Sequence, residues 1–278
     1  MSTTHTLRLR GQTVSYTDQG AGPAVVLLHA GGSSGRQGAK VAARLESRFR
    51  VFAPDLWGFG GTAAWNGQER LSHDHHAELV MGVIEHLAVG KVHLVGHSYG
   101  GATAVRTALA RPATVARLVL IEPILMRLLD NDVDRPLFRE YAGMAQHFLA
   151  HADIGDLEAA WQGFLDYRNG RGTWVGLSEK ARQRFYEQTP STVVGFYSNL
   201  ENYTSAAELG GIRVPTAVLW GEKTTPPDRR VAEIVANTIP GARLEVIEGA
   251  EHMSPLTHPD AVAAHIVAHI DAGALHSA

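Results

Sequence analysis

Short apolar runs without polar alternation, each closed by glycine or proline, constrain this chain more than any other feature. "AVVLL" (Ala24–Leu28) runs into His29, Ala30 and two glycines, and "VFA" (Val51–Ala53) is cut by Pro54. "KVHLVGH" leads to a serine between glycines, and "VARLVLIEP" ends at a proline. "VPTAVLWGE" adds one more such run towards the C-terminus, and "ARLEVIEGAEH" reads as a strand and turn. A strand covered on both faces reads as a continuous apolar run, because neither side meets water. Helical spacing fills the gaps. "LSHDHHAELVMGVIEHL" sets Leu71, Leu79, Val83, Ile84 and Leu87 on one side. "SYGGATAVRTALARP", "PDRRVAEIVANTI" and "PDAVAAHIVAHI" read as further helices. Strands alternating with helices predict an α/β protein built on a parallel sheet. Two alternating segments, "HTLRLRG" and "QTVSYTDQG", precede it as strands ending in glycine turns.

The rhythm breaks between Ile124 and Leu209. Helical segments follow one another there with no clear strand, and twelve of the chain's 20 aromatics fall between Phe138 and Tyr203. This predicts one α/β core, residues 1–123 and 210–278, interrupted by a helical insertion at 124–209. The length suits one domain with a full core. Gly273–Ala278 reads as a frayed tail. A net charge of −3 without a Lys/Arg stripe argues against a nucleic-acid partner. No cysteine is present, which excludes disulfides and thiolate metal sites. No run approaches the length of a membrane span, and no N-terminal segment has the make-up of a secretory signal. The expectation is a cytoplasmic protein with a small-molecule partner and none in the membrane. Oligomeric state stays open, a homodimer included.

"LVGHSYGGATA" (Leu94–Ala104) carries the chemistry. Gly96, Ser98 and Gly100 match the G-x-S-x-G elbow, in which a tight strand-to-helix turn lifts the serine out of the sheet edge. Bulkier residues two positions either side would clash. The helix starting beside the serine offers free N–H groups and a favourable dipole to developing negative charge. A serine hydroxyl needs a base. His252 directly follows the last strand in "EGAEHMSPLTHPD", whereas His258 precedes Pro259 and Asp260 at a helix start. For the oxyanion, one N–H belongs to Tyr99. The other comes from "HAGGSSG", at Gly31 with Gly32 as its neighbour.

Taken together, "LLHAGGSS", "FAPDLWGFGGT", "LVGHSYGGATA", "VLWGE" and "GAEHMSPLTHP" resemble the α/β-hydrolase superfamily over nearly the whole chain. The resemblance implies a mostly parallel eight-stranded sheet with helices on both faces and a helical cap. It also brings a departure. Many members carry an aspartate shortly after the strand written here "AVLWGEKTTPPD", where this chain has Thr224. Asp228 comes four residues later, read as the N-cap of the next helix, and Glu222 lies close to the strand end. By analogy with haloalkane dehalogenases, zearalenone-type lactonases and cofactor-free ring-cleaving dioxygenases, the acid moves to Glu122, after the strand beside the nucleophile's. A carboxylate closing an apolar run is costly unless it is paired; the plainer reading is that Glu122 caps the insertion's entry or pairs with an arginine. The expected triad is Ser98–Glu122–His252.

Dehalogenases and epoxide hydrolases of this fold need an aspartate at position 98, so Ser98 points instead to acyl transfer to water: a carboxylic-ester hydrolase acting on an ester or lactone. The same residues also suit a cofactor-free dioxygenase using a His252–Glu122 dyad, or a receptor-like binder with vestigial turnover. No cofactor and no metal are expected. The "HDHH" segment, His73 to His76, reads as a solvated helix start. His265 and His269 lack the glutamate of H-E-x-x-H and read as surface residues. His29 and His97 read as structural, and "GFGG" (Gly58–Gly61) as a turn. The insertion's aromatics, Trp161, Phe164, Tyr167, Trp174, Phe185, Phe196 and Tyr197, are candidates to line a substrate pocket, with Trp161, Phe164 and Trp174 taken as the substrate contacts. The plainer reading of any one of them is the insertion's own core, and together they favour an apolar or aromatic substrate. Arg168 is one of several arginines there without an assigned role.

Overall fold

The computed structural model describes residues 2–272. The tail expected to fray lies outside them. β1 (Thr3–Leu9), β2 (Gln12–Gln19), β3 (Ala24–Leu28), α1 (Ala39–Leu45), β4 (Arg50–Pro54) and α2 (His73–Leu87) come first. β5 (Val92–His97), α3 (Tyr99–Ala110) and β6 (Val115–Ile121) follow. Five helices then run in succession: α4 (Arg135–Asp153), α5 (Leu157–Asn169), α6 (Glu179–Glu187), α7 (Thr189–Leu200) and α8 (Ala206–Gly210). The chain returns through β7 (Thr216–Gly221), α9 (Pro226–Thr238), β8 (Arg243–Ile247), α10 (Ser254–Thr257) and α11 (Pro259–Asp271).

The strands form one eight-stranded sheet in the order β1-β2-β4-β3-β5-β6-β7-β8. β1 and β2, and β2 and β4, pair antiparallel, and the other neighbours pair parallel. The apolar runs occupy the middle of the sheet because both faces are covered. On β3, Val26 and Leu28 face a core shared with α2, α3 and α9, whereas Val25 and Leu27 face a core shared with α1 and α11. Burying a side chain of this size contributes on the order of 2 kcal/mol, and β3 is buried at all five of its positions.

Strand order brings the carboxyl ends of β5 and β6 side by side. His97 pairs with Ile121, so Ser98 and Glu122 are the next residue on each strand. The backbone holds both in place: Ser98 N–H donates to Ile121 O at 2.9 Å and Glu122 N–H to Leu219 O at 2.9 Å.

Two histidine readings change. In "HDHH", His73 and His76 are fully buried, not solvated. α2 turns them onto α3 and α7: His73 bonds Thr103 Oγ1 and Asn199 Oδ1, each at 3.0 Å, and His76 Nε2 bonds Tyr99 Oη at 2.8 Å. His269 is likewise buried, with Nε2 on Pro215 O at 3.0 Å, while His265 is half-buried. Asp228 is not the N-cap of α9. Thr225 holds that position, and Asp228 lies in the first turn, 1% exposed.

Candidate active site

Ser98 has φ 56° and ψ −115°, a left-handed conformation that non-glycine residues avoid. The glycines make it attainable. A Cβ on Gly96 would come within 2.3 Å of Gly100 O, and one on Gly100 within 2.6 Å of His29 O. Glu122 shares the unusual backbone, at φ 45°. Two adjacent strand ends thus turn in the same strained way, each costing about 1–3 kcal/mol, and each presents its side chain to the same edge.

His252, after β8, joins them. Its Nε2 lies 2.9 Å from Ser98 Oγ and its Nδ1 2.5 Å from Glu122 Oε2. Ser98, Glu122 and His252 are all buried. Glu122 is saturated with donors: Gly221 N–H reaches Oε1 at 2.7 Å and Thr224 Oγ1–H reaches Oε2 at 2.7 Å. Such charge-assisted bonds fix a carboxylate's orientation. With Nδ1–H directed at Glu122, His252 presents an unprotonated Nε2 to the serine. His97 supports the loop from below, its Nε2 2.8 Å from His252 O, while Gln37 Nε2 meets its Nδ1 at 2.5 Å. Burial pushes the His97 pKa well below its ordinary value. His29 accepts Leu56 N–H at 3.0 Å and positions the neighbouring strand end.

Asp228, read from the sequence as an N-cap and left open there as an alternative acid, is the other carboxylate beside this line. Its Oδ2 lies 4.0 Å from His252 Nδ1. It accepts from Thr225 Oγ1 at 2.5 Å and is ion-paired with Arg168 of α5, itself buried. Burial opposes its ionisation, but the charge of Arg168 overrides it and holds the carboxyl below its ordinary range. Donor atoms of Glu122, Asp228 and His252 lie within 4.8 Å of one another, a metal-like cluster. Here the positive charge beside it is the Arg168 guanidinium. Glu222, also weighed as an acid, faces away and accepts Gly249 N–H at 2.8 Å. His258 is the N-cap of α11.

Ser98 opens onto a cavity of about 410 Å³. Gly31, Gly32 and Tyr99 line it on the sheet side. Tyr99 is the first residue of α3, so its N–H has no intrahelical acceptor. Phe164, Leu165, Phe185 and Phe196 form much of the opposite wall. Of the aromatics singled out from the sequence, Phe164, Phe185 and Phe196 reach the cavity, whereas Trp161, Tyr167, Trp174 and Tyr197 are not among its lining residues. Trp161 and Trp174 are fully buried within the helical segment. Trp161 Nε1–H donates to Thr189 Oγ1 at 2.9 Å and its ring packs against Phe148 and Phe185. Trp174 packs on Phe185 and Tyr186.

A sheet of this order with this serine turn defines a fold family, and the comparisons agree. The model of the family described as alpha/beta hydrolase fold matches residues 23–259, and the chain belongs to that family. It is 27% identical over 261 residues to 2-hydroxy-6-oxo-6-phenylhexa-2,4-dienoate hydrolase of Burkholderia cepacia, spanning 89% of this chain and 87% of that one. Among solved structures, bromoperoxidase from Bacillus anthracis superposes with a TM-score of 0.78 at 21% identity, covering 94% of this chain and 96% of that one. The meta-cleavage product hydrolase from Pseudomonas fluorescens IP01 does so at 0.72 and 19%, covering 97% and 98%.

Proposed function

We propose that the protein is a serine hydrolase that cleaves an ester or lactone of a neutral, moderately hydrophobic small molecule, with residues 124–209 as its cap. The observation that carries this is the hydrogen-bonded line Glu122–His252–Ser98 ending on a largely apolar cavity. His252 Nε2 takes the Ser98 proton as Oγ attacks the carbonyl carbon. The tetrahedral oxyanion forms beside the N–H groups of Gly31 and Tyr99. Its collapse breaks the bond to the alkoxide, which leaves with the proton from Nε2. Water then gives a proton to Nε2, attacks the acyl carbon and frees Ser98. The hydroxyls of Tyr141 and Thr192, buried on the cavity wall, make no well-formed hydrogen bond within the protein. They suit a second oxygen on the substrate, away from the scissile group.

A second reading, hydrolysis of an oxo-dienoate, has the Burkholderia cepacia relative in its favour. Charge speaks against it. Apart from His252, Arg168 is the cationic side chain lining the cavity, and Asp228 already neutralises it. A substrate carboxylate would enter unpaired, at a cost of several kcal/mol.

The test is intact mass after exposure to a neutral fluorophosphonate, with Ser98→Ala as control, followed by a panel of neutral aryl esters and lactones. One adduct on the wild type alone, with turnover on the panel, is the expected result. No adduct would overturn the proposal and turn attention to oxygen uptake with a hydroxylated heteroaromatic ring, the dioxygenase reading.

A further inference from the structure

Two carboxylates share one histidine in this site. Glu122 Oε2 lies 2.5 Å from His252 Nδ1 and Asp228 Oδ2 lies 4.0 Å from it. Both acids are essentially without solvent contact. An imidazole beside two bare buried anions would be held as imidazolium and could not accept the serine proton. Arg168 removes the conflict. It reaches from α5 to Asp228 of α9, and its guanidinium also sits over the rings of Tyr141 and Tyr167, at 5.5 and 5.7 Å. With Arg168 in place, Glu122, Asp228 and Arg168 sum to a single negative charge.

We propose that Arg168 is a positioning residue that cancels Asp228, so that His252 answers to Glu122 alone and stays an acceptor at neutral pH. This rests on the reading of His252 as the base. It also makes the helical segment part of the catalytic electrostatics, because the guanidinium comes from α5 and the carboxylate from α9. The other groups facing this histidine do not supply the missing charge. His97, from β5, lies 5.1 Å away ring to ring and is kept neutral by burial. Ser98 is uncharged, and Glu251, which also lines the cavity, is acidic. Around Asp228 itself stand Thr225, Tyr141 and Tyr167, all neutral in the working range.

The pH profile of Ser98 labelling by a neutral fluorophosphonate tests this, because a latch with no electrostatic role would lower the plateau without moving the acidic limb. Arg168→Met leaves Asp228 uncancelled, and the limb should move up by about one to three pH units. Asp228→Asn leaves the cation uncancelled, and the limb should move down. Arg168→Met/Asp228→Asn removes both charges and should return the limb to within about half a unit of the wild type. If Arg168→Met fails to fold, Asp228→Asn and the double variant carry the test. Limbs that coincide in folded variants would overturn the proposal. A wild type that takes no label would instead overturn the serine-hydrolase reading, so the two failures are distinct.

Discussion

Replacing Glu122 by glutamine changes one atom and tests the site at its most constrained point. The carboxylate accepts three hydrogen bonds, from Gly221 N–H, Thr224 Oγ1–H and His252 Nδ1–H. Glutamine has one acceptor oxygen and must choose. If the oxygen stays on Gly221, the amide NH₂ faces His252 Nδ1. The ring then accepts at Nδ1 and carries its proton on Nε2, pointing at Ser98. In that tautomer it cannot take the serine proton. If the amide turns over, NH₂ meets Gly221 N–H, and a buried donor left without an acceptor costs about 1–3 kcal/mol. The first arrangement is the less costly, so the expected loss is that of the wrong tautomer, roughly 10³- to 10⁴-fold in kcat/KM. At 1.36 kcal/mol per factor of ten this is about 4–5.5 kcal/mol. Asp228→Asn, measured beside it at pH 8, leaves the tautomer intact and should cost less than about tenfold. It should, however, destabilise the fold by about 3–5 kcal/mol by stranding the Arg168 charge. The assay is turnover and labelling rate on variants whose thermal melts show them folded. Glu122→Gln within tenfold of the wild type, or a folded Asp228→Asn that falls as far, would refute the assignment of Glu122 as the acid.

Two further outcomes follow from the same geometry. Thr224→Val removes one donor from a charged acceptor, a bond type contributing about 1.5–3 kcal/mol. The labelling rate should fall roughly tenfold or more with little change in limb position, and an unchanged rate would show that Glu122 needs no help from Thr224. Stability should also fall with acid in a defined window. Burial pushes the His73 pKa down to about 4 from an ordinary value near 6.5, so the unfolded chain binds this proton first as pH drops. The stabilisation is complete above pH 6.5 and is lost as pH falls towards 4, about 3 kcal/mol from His73 alone. Burial lowers His76 and His97 in the same sense. Urea midpoints at pH 7.5 and 4.5 check this, and equal midpoints would refute it.

What the sequence made legible is what lies on a strand end. Ser98 and Glu122 directly follow apolar runs on neighbouring strands, and the loop after β8 carries His252 across to the same edge. Contacts made between helices left no such mark. Arg168 and Asp228 stand 60 residues apart on two amphipathic helices, where an arginine and an aspartate ordinarily face water. His73 and His76 looked solvated because their partners Thr103, Asn199 and Tyr99 come from other elements. The aromatics of the helical segment share one periodicity whether they line a cavity or fill a core, which is why Phe164 and Trp161 could not be told apart. Asp228 was misplaced for a local reason: with Pro226 and Pro227 opening α9, the cap falls on Thr225.

Thr224 shows most clearly how such a departure should be read. In the sequence it stands where an aspartate is usual in this superfamily, and it looks like a missing part. In the structure its hydroxyl donates to Glu122 Oε2 at 2.7 Å. An aspartate there would set a second anion against the first, in a site that already needs Arg168 to cancel a third carboxylate. On the proposed reading of Glu122 as the acid, a neutral donor at position 224 supports it where a carboxylate would repel it.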